Sequence, residues 1–193
     1  MFRRRGGLSF GRQRRKFNVA LFKEIISWTV EILIAIGIAY VMVSSFGLRT
    51  SVVGTAMEDG LKNNDQILIN RFVYLLTKPK SGDVVVFRPN GNEKSHLYVR
   101  RVIGTPGDRV QIKDGAVYLN GELYNDIETA SIEEAGIAAE EITLGEEEYF
   151  VLGDNRNSSE DSRFANIGNI KEEYIIGKAW LGFSSIKDIH LID

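Results

Sequence analysis

The run IISWTVEILIAIGIAYVMVSSFGL, Ile25 to Leu48, constrains the fold more than any other stretch: 24 residues whose only charged side chain near neutral pH is Glu31. As a helix rising about 1.5 Å per residue it spans roughly 36 Å, enough to cross a hydrocarbon core of about 30 Å with some tilt. Its flanks are lopsided in charge. Residues 1–24 carry Arg3, Arg4, Arg5, Arg12, Arg14, Arg15, Lys16 and Lys23 against Glu24, a net of +7. The whole 193-residue chain is −2, so residues 25–193 carry −9. Positive flanks stay in the cytoplasm. This predicts a single-pass protein of the cell membrane: a basic cytoplasmic tail over 1–24, a transmembrane helix over 25–48 and an extracytoplasmic domain over 49–193. A basic arm for nucleic acid is the weaker account, because these charges directly precede the apolar run. A cleaved signal peptide would use Val43 and Ser45 as the small residues before the cut. The apolar stretch exceeds the roughly 7–15 residues of a signal core, which favours an uncleaved anchor. Glu31 reads as a tolerated acid near the cytoplasmic end, within reach of the interface or of a partner helix.

After Leu48 the chain changes character. Short runs rich in β-branched and aromatic residues recur between Gly, Asn and Asp: DQILINRF, GDVVVF, HLYVRRVIG, GDRVQI, GAVYLNG, EEYFVLGD and IIGKAWLGF. Such runs predict a mainly β, antiparallel domain, with Asp114-Gly115 as the two-residue turn of a hairpin. The acidic interval from Asn125 to Glu148 breaks the pattern and reads as an insertion between two strands of the main sheet, with a short helix at Ser131 to Ala135. Its Glu clusters read as solvated faces.

Several chemistries are set aside by the residues themselves. The chain has no cysteine, which removes disulfides, thiol nucleophiles and cysteine-ligated metals. His96 and His190, the only histidines, sit in no metal or Ser-His-Asp spacing and read as surface or strand-edge groups. DNRNSSEDSRFA, from Asp154, fails as a calcium loop: Arg156, Ser159 and Ala165 occupy its third, sixth and twelfth positions. The glycines form no phosphate-cradling loop. No cofactor and no metal are expected.

Four blocks remain, in a fixed order: VVGTAMEDGL (Val52 to Leu61), SGDVVVF (Ser81 to Phe87), YVRRVIGTPGD (Tyr98 to Asp108) and FVLGDNRNSSEDSR (Phe150 to Arg163). With the preceding apolar segment they resemble the type I signal peptidases of bacteria. IIGKAWLGF, Ile175 to Phe183, looks like that family's closing strand. The resemblance implies a signal-peptidase-like antiparallel β ectodomain on one N-terminal transmembrane helix, with Ser/Lys-dyad chemistry. In that chemistry a serine attacks the signal-peptide carbonyl, and a desolvated neutral lysine is the general base. By the family pattern the serine precedes the methionine of the first block and the lysine precedes the arginine of the third.

Here those positions are Ala56, before Met57, and Arg100, before Arg101. Alanine has no nucleophilic atom, and a guanidinium cannot act as a neutral base. Asp59-Gly60 replaces the family's usual Pro-Thr, so the adjoining turn has drifted as well. The pattern looks like a natural paralogue released from catalysis. Rescue would need another hydroxyl, from Thr55 or Ser51, and a base such as Lys94. On an extended segment Thr55 would point away from the side of position 56. In the fourth block the resemblance implies that Ser159 orients the lysine and that Asp161 and Arg163 form a bracing ion pair. Arg100 is then expected to be held by Asp161, Asp154 or Ser159 as a structural anchor. Met57 is assigned to a peptide-binding cleft.

Three functions stay open. The first is a non-catalytic homologue that binds segments of exported proteins; similar dyad-less proteins of Gram-positive bacteria accompany pilus genes, so a pilin segment is one client. The second is an active signal peptidase with an atypical site. The third is a regulatory partner paired with an active signal peptidase. In each, the partners are an exported protein and the bilayer, with no nucleic acid.

Overall fold

The apolar run folds as helix α1, Val19–Phe46, in a computed structural model that describes residues 19–46, 48–52, 54–58, 61–124, 131–184 and 188–192. α1 begins six residues before the expected start, because Val19, Leu21 and Phe22 extend the apolar character and no Pro or Gly lies between Val19 and Ile25. Its stretch Val19–Ser44, with a mean hydropathy of 2.1, is long and apolar enough to cross a membrane. Polar side chains within it are served locally. Thr29 Oγ1 donates to the Ile25 carbonyl at 2.7 Å, and Ser27 Oγ reaches the Glu31 carboxylate at 3.4 Å. Residues up to Val41 make one compact unit and those from Met42 onward another, which holds every described strand.

That second unit is mainly β and antiparallel, as the short β-branched and aromatic runs predict. Its strands are β1 (Leu48–Ser51), β2 (Gln66–Asn70), β3 (Val84–Phe87), β4 (Tyr98–Gly104), β5 (Arg109–Lys113), β6 (Ala116–Leu119), β7 (Glu122–Leu123), β8 (Ile142–Thr143), β9 (Glu148–Leu152), β10 (Ile170–Lys171), β11 (Ile175–Phe183) and β12 (Ile189–Leu191). The larger sheet runs β1-β2-β11-β3-β4-β9-β10, with β12 added to β11, and the smaller one runs β7-β6-β5-β8. β3 lies at the centre and is buried on both faces, which is why VVVF is continuous rather than alternating. Val84 and Val86 pack in one core cluster with Val52, Met57, Leu61 and Val99; Val85 and Phe87 pack in another with Val102, Tyr149 and Val151. A third cluster, with Ile103, Phe150 and Leu152, joins β4 and β9 to the smaller sheet.

Asp114 and Gly115 turn β5 into β6 with φ of 52° and 75°, the two positive values that a tight hairpin turn requires. The acidic interval lies between two strands of the larger sheet, β4 and β9, but inside a longer span, β5 to β8, that builds the smaller sheet, where β8 pairs with β5. Asn125 to Ala130 lie outside the described residues. The short helix is displaced from Ser131–Ala135 to a single 3-10 turn at Gly136–Ala139. Tertiary contacts override the weak local preference there. Gly136, at φ 56°, presses its backbone on the Arg163 carbonyl, Ile137 N donates to that carbonyl at 2.9 Å, and Ile132 and Ala138 are buried in the third cluster. β11 spans Ile175–Phe183 as expected, yet it does not close the fold. It lies between β2 and β3, and β12 follows it and brings Ile192 into the first core cluster.

Candidate functional site

The loop leaving β1 is tied at its neck, where Val52 N donates to the Asp65 carbonyl at 2.8 Å and Asn64 N to the Val52 carbonyl at 2.9 Å. Inside it the chain turns tightly, with Glu58 N bonded to the Thr55 carbonyl and Leu61 N to the Met57 carbonyl. The expected extended segment is therefore a turn, because burial of Met57 and Leu61 in the core beside Val99 draws both ends inward. Ala56 is buried and Thr55 exposed. Asp59 and Gly60 lie outside the described residues.

The Ala56 carbonyl accepts a 3.0 Å hydrogen bond from Asn155 N, so the first and fourth blocks meet through backbone. They meet over Gly153, where a Cβ would stand 2.6 Å from the Ala56 carbonyl oxygen and would collide with the Ser159 side chain. Only glycine permits that approach.

β4 delivers Arg100 and Arg101 to opposite faces, as successive strand residues must be. Arg101 makes a bidentate ion pair with buried Asp154, Nε to Oδ1 and Nη2 to Oδ2, each at 2.9 Å, and donates from Nη1 to the Gly82 carbonyl. Arg100, 7% exposed, has no carboxylate among its hydrogen-bond acceptors within the described residues. Nε and Nη2 donate to the Glu160 carbonyl at 2.9 and 2.6 Å, Nη1 donates to the Val99 carbonyl at 2.7 Å, and the guanidinium carbon lies 5.0 Å from the centre of the Tyr98 ring. The expectation that Asp161, Asp154 or Ser159 holds Arg100 is thus corrected. Strand alternation gives Asp154 to Arg101, and Asp161 is engaged elsewhere. Burial pulls the Arg100 pKa below its ordinary value, opposed by the charge of Asp161, and the group remains a cation.

Asp161 and Arg163 form a buried bidentate pair, at 2.8 Å from Nε and 2.9 Å from Nη2. Arg163 also reaches the Glu134, Arg156 and Ser159 carbonyls, while Asp161 accepts from Gly153 N. One side chain thereby ties together the turns of the DNRNSSEDSR loop. Ser159 sits in this loop with its buried Oγ lacking any hydrogen-bond partner among the described residues. The carboxylate of the exposed Glu160 accepts from Tyr98 OH and from Asn166 Nδ2, each at 2.7 Å, and the two bonds hold its pKa below the usual carboxylate range.

These elements enclose a cavity of about 320 Å³. Thr55, Ala56 and Met57 line it from the first block, His96, Tyr98 and Arg100 from β4 and the residues before it, and Ser158 and Glu160 from the fourth block. Arg100 does not fill the space. Ser51 is exposed on β1 and Lys94 in the segment before β4; neither lines the cavity, whereas Thr55 does. Among the described residues no group of three or more His, Cys, Asp or Glu side chains is placed to hold a metal ion. His96 escaped the sequence reading, as did Tyr98, Ser158 and Glu160. A signal existed for two of them: His96, Tyr98 and Arg100 follow the period of two that puts residues on one side of a strand.

A family model described as "Signal peptidase, peptidase S26" matches residues 25–183. Signal peptidase I P of Bacillus subtilis subsp. natto is 33% identical over 184 residues, covering 90% of this chain and 94% of that one. For signal peptidase IB of Staphylococcus aureus (strain COL) the identity is 31% over 179 residues, covering 83% and 90%. A crystal structure of a signal peptidase I from Enterococcus faecalis V583 is 30% identical, with a TM-score of 0.42 over 53% of this chain and 97% of that one.

Proposed function

This chain belongs to the signal peptidase family, peptidase S26, and from that premise we propose that it binds segments of exported proteins at the membrane without cleaving them by Ser/Lys chemistry. One observation carries the reading. The cavity brings together the two positions at which the resemblance implies a nucleophile and a base, and they present a methyl group and a buried guanidinium held by two backbone carbonyls. Neither attacks a carbonyl or accepts a proton near neutral pH. The space between them accommodates a side chain, and an extended segment pairs with a sheet edge through backbone hydrogen bonds alone. α1 anchors the domain, with the basic tail on the cytoplasmic side. A pilin segment is one client of this class.

The test is cleavage of a fluorogenic signal peptide by the full chain in detergent, beside the double variant Ala56→Ser, Arg100→Lys. Silence from the unaltered chain and cleavage by the double variant is the expected result. Silence from both would mean that signal-like segments no longer enter the cavity, against this reading. A second reading, an atypical peptidase, draws on Thr55 and His96, a hydroxyl and an imidazole lining one cavity. It requires cleavage by the unaltered chain that Thr55→Ala and His96→Ala each abolish. A regulatory role would instead appear as a changed cleavage rate when the chain is co-reconstituted with an active signal peptidase.

A further inference from the structure

A second cavity, of about 340 Å³, shares no lining residue with the one at Ala56 and is lined by Tyr74, Pro79, Glu147, Glu172, Glu173 and Ile175. Pairing of β9 with β10 assembles its acids. Glu147 precedes β9, Glu172 and Glu173 open the 3-10 turn Glu172–Tyr174 that follows β10, and Glu172 N donates to the Glu147 carbonyl at 2.9 Å. Two neighbouring cations are engaged elsewhere: Lys178 pairs with Asp83 at 2.6 Å, and the Lys171 ammonium lies 6.0 Å from the centre of the Tyr174 ring. Lys78 reaches Glu172 at 3.2 Å with its side chain 66% exposed, while Glu147 and Glu173 have no ion pair among the described residues. Exposed glutamates are ordinarily solvated, and what distinguishes this pocket is the group beneath them. Tyr149 is wholly buried, yet its hydroxyl has no hydrogen-bond partner among the described residues. Its ring packs in one core cluster with Tyr74 and its hydroxyl lies beside Glu172, so it is aimed between two residues of the lining. Burial, and after it the Glu172 charge, pushes the Tyr149 pKa up to about 12. Tyr74 offers only its ring, because its own hydroxyl donates to Asp83 at 3.0 Å. A buried hydroxyl without a partner is costly, and a polar ligand that reaches it removes that cost.

The geometry points to a binding site for a lysine side chain of a partner protein, with its ammonium between the glutamate carboxylates and the Tyr149 oxygen and its alkyl stem against Pro79, Ile175 and the Tyr74 ring. Long cationic side chains lay an apolar stem along such surfaces while the head stays with polar groups. An ammonium carries three donors on a flexible stem, which suits acceptors arriving from two separate turns and from the floor; the flat fork of a guanidinium suits one carboxylate taken in two places. Among the described residues no three acidic or histidine side chains are placed to share a metal ion, so the fitting cation is an organic one. The two cavities have no residue in common, and either assignment can fail without the other.

The probe is a fluorescein-labelled alanine peptide with blocked ends and one central lysine, set beside the same peptide with norleucine, which keeps the stem and lacks the ammonium. Anisotropy on the full chain in detergent is expected to show the lysine peptide binding about tenfold more tightly. Glu172→Gln and Glu173→Gln should each reduce that preference. Tyr149→Phe keeps every charge and the buried ring, and should weaken the lysine peptide about fivefold through the lost hydroxyl. The double variant Ala56→Ser, Arg100→Lys should leave both peptides unchanged. Equal binding of the two peptides to the unaltered chain, or binding of neither, would overturn the proposal. A lysine preference that survives Tyr149→Phe undiminished would overturn it too, since it would belong to general attraction by a negative surface. The peptide comparison uses the unaltered chain and stands whether or not each variant folds.

Discussion

Two walls of the same cavity have opposite characters. The loop from Gly153 to Arg163 is fastened by charge: the Asp161–Arg163 pair is buried, Arg163 gathers carbonyls from three further residues, and Asp154 anchors the loop to β4 through Arg101. The turn around Ala56 is held by apolar packing of Met57 and Leu61 and by backbone hydrogen bonds, and its side chain at position 56 ends at a methyl. Position 56 therefore contributes backbone rather than side-chain bonds to its wall, whereas Arg100 ties β4 to the loop through the Glu160 carbonyl.

That contrast breaks most sharply at Asp161. Asp161→Asn leaves the Arg163 charge buried without its partner and is expected to cost about 3–5 kcal/mol, read as a lowered thermal unfolding midpoint of the full chain. A change below about 1 kcal/mol, the range of an exposed pair, would show that the loop is not fastened by charge. Next in size comes Gly153→Ala, whose methyl would meet the Ala56 carbonyl and the Ser159 side chain. Overpacking of this sort costs about 1–3 kcal/mol. An unchanged unfolding midpoint would mean that the two walls part easily.

Ser159→Ala should act with the opposite sign. It removes a buried hydroxyl that has no partner among the described residues, and is expected to raise stability by about 1 kcal/mol. A loss of that size would assign the hydroxyl a structural bond. The smallest effect concerns pH. Bonds from Tyr98 and Asn166 depress the Glu160 pKa in the folded chain, so its contribution is present above the unfolded value of about 4.3 and is lost as pH falls through the lower folded value. Tyr98→Phe is expected to weaken this acid-side dependence in unfolding measured from about pH 3 to 6. An unaltered profile would detach the Tyr98 bond from stability.

Local chemistry made much of the fold legible. The helix follows from an unbroken apolar run, the β5–β6 turn from Asp114-Gly115, and the buried central strand from VVVF. The chemistry of Ala56 and Arg100 is equally plain, since a methyl group and a permanent cation announce themselves wherever they lie. The partition into two sheets was not legible, because two-residue strands such as β8 gain their order from pairing with β5 rather than from their own sequence. Nor was the place of Ser158 and Glu160, ordinary loop residues until the fourth block packs against the turn at Ala56.

What the sequence alone determined, then, is which groups the site possesses: a methyl, a permanent cation, and a loop with acids and arginines at set intervals. Only the tertiary structure decided which of these meet. Asp154 lies 53 positions from Arg101 and the Glu160 carbonyl 60 from Arg100, separations over which no local preference acts. Pairing of β3, β4 and β9 sets those distances, and the pleat of β4 sorts two adjacent arginines onto opposite faces. One faces a carboxylate. The other faces two carbonyls and an open cavity, because a buried cation takes the acceptors that the packed strands bring within hydrogen-bonding reach.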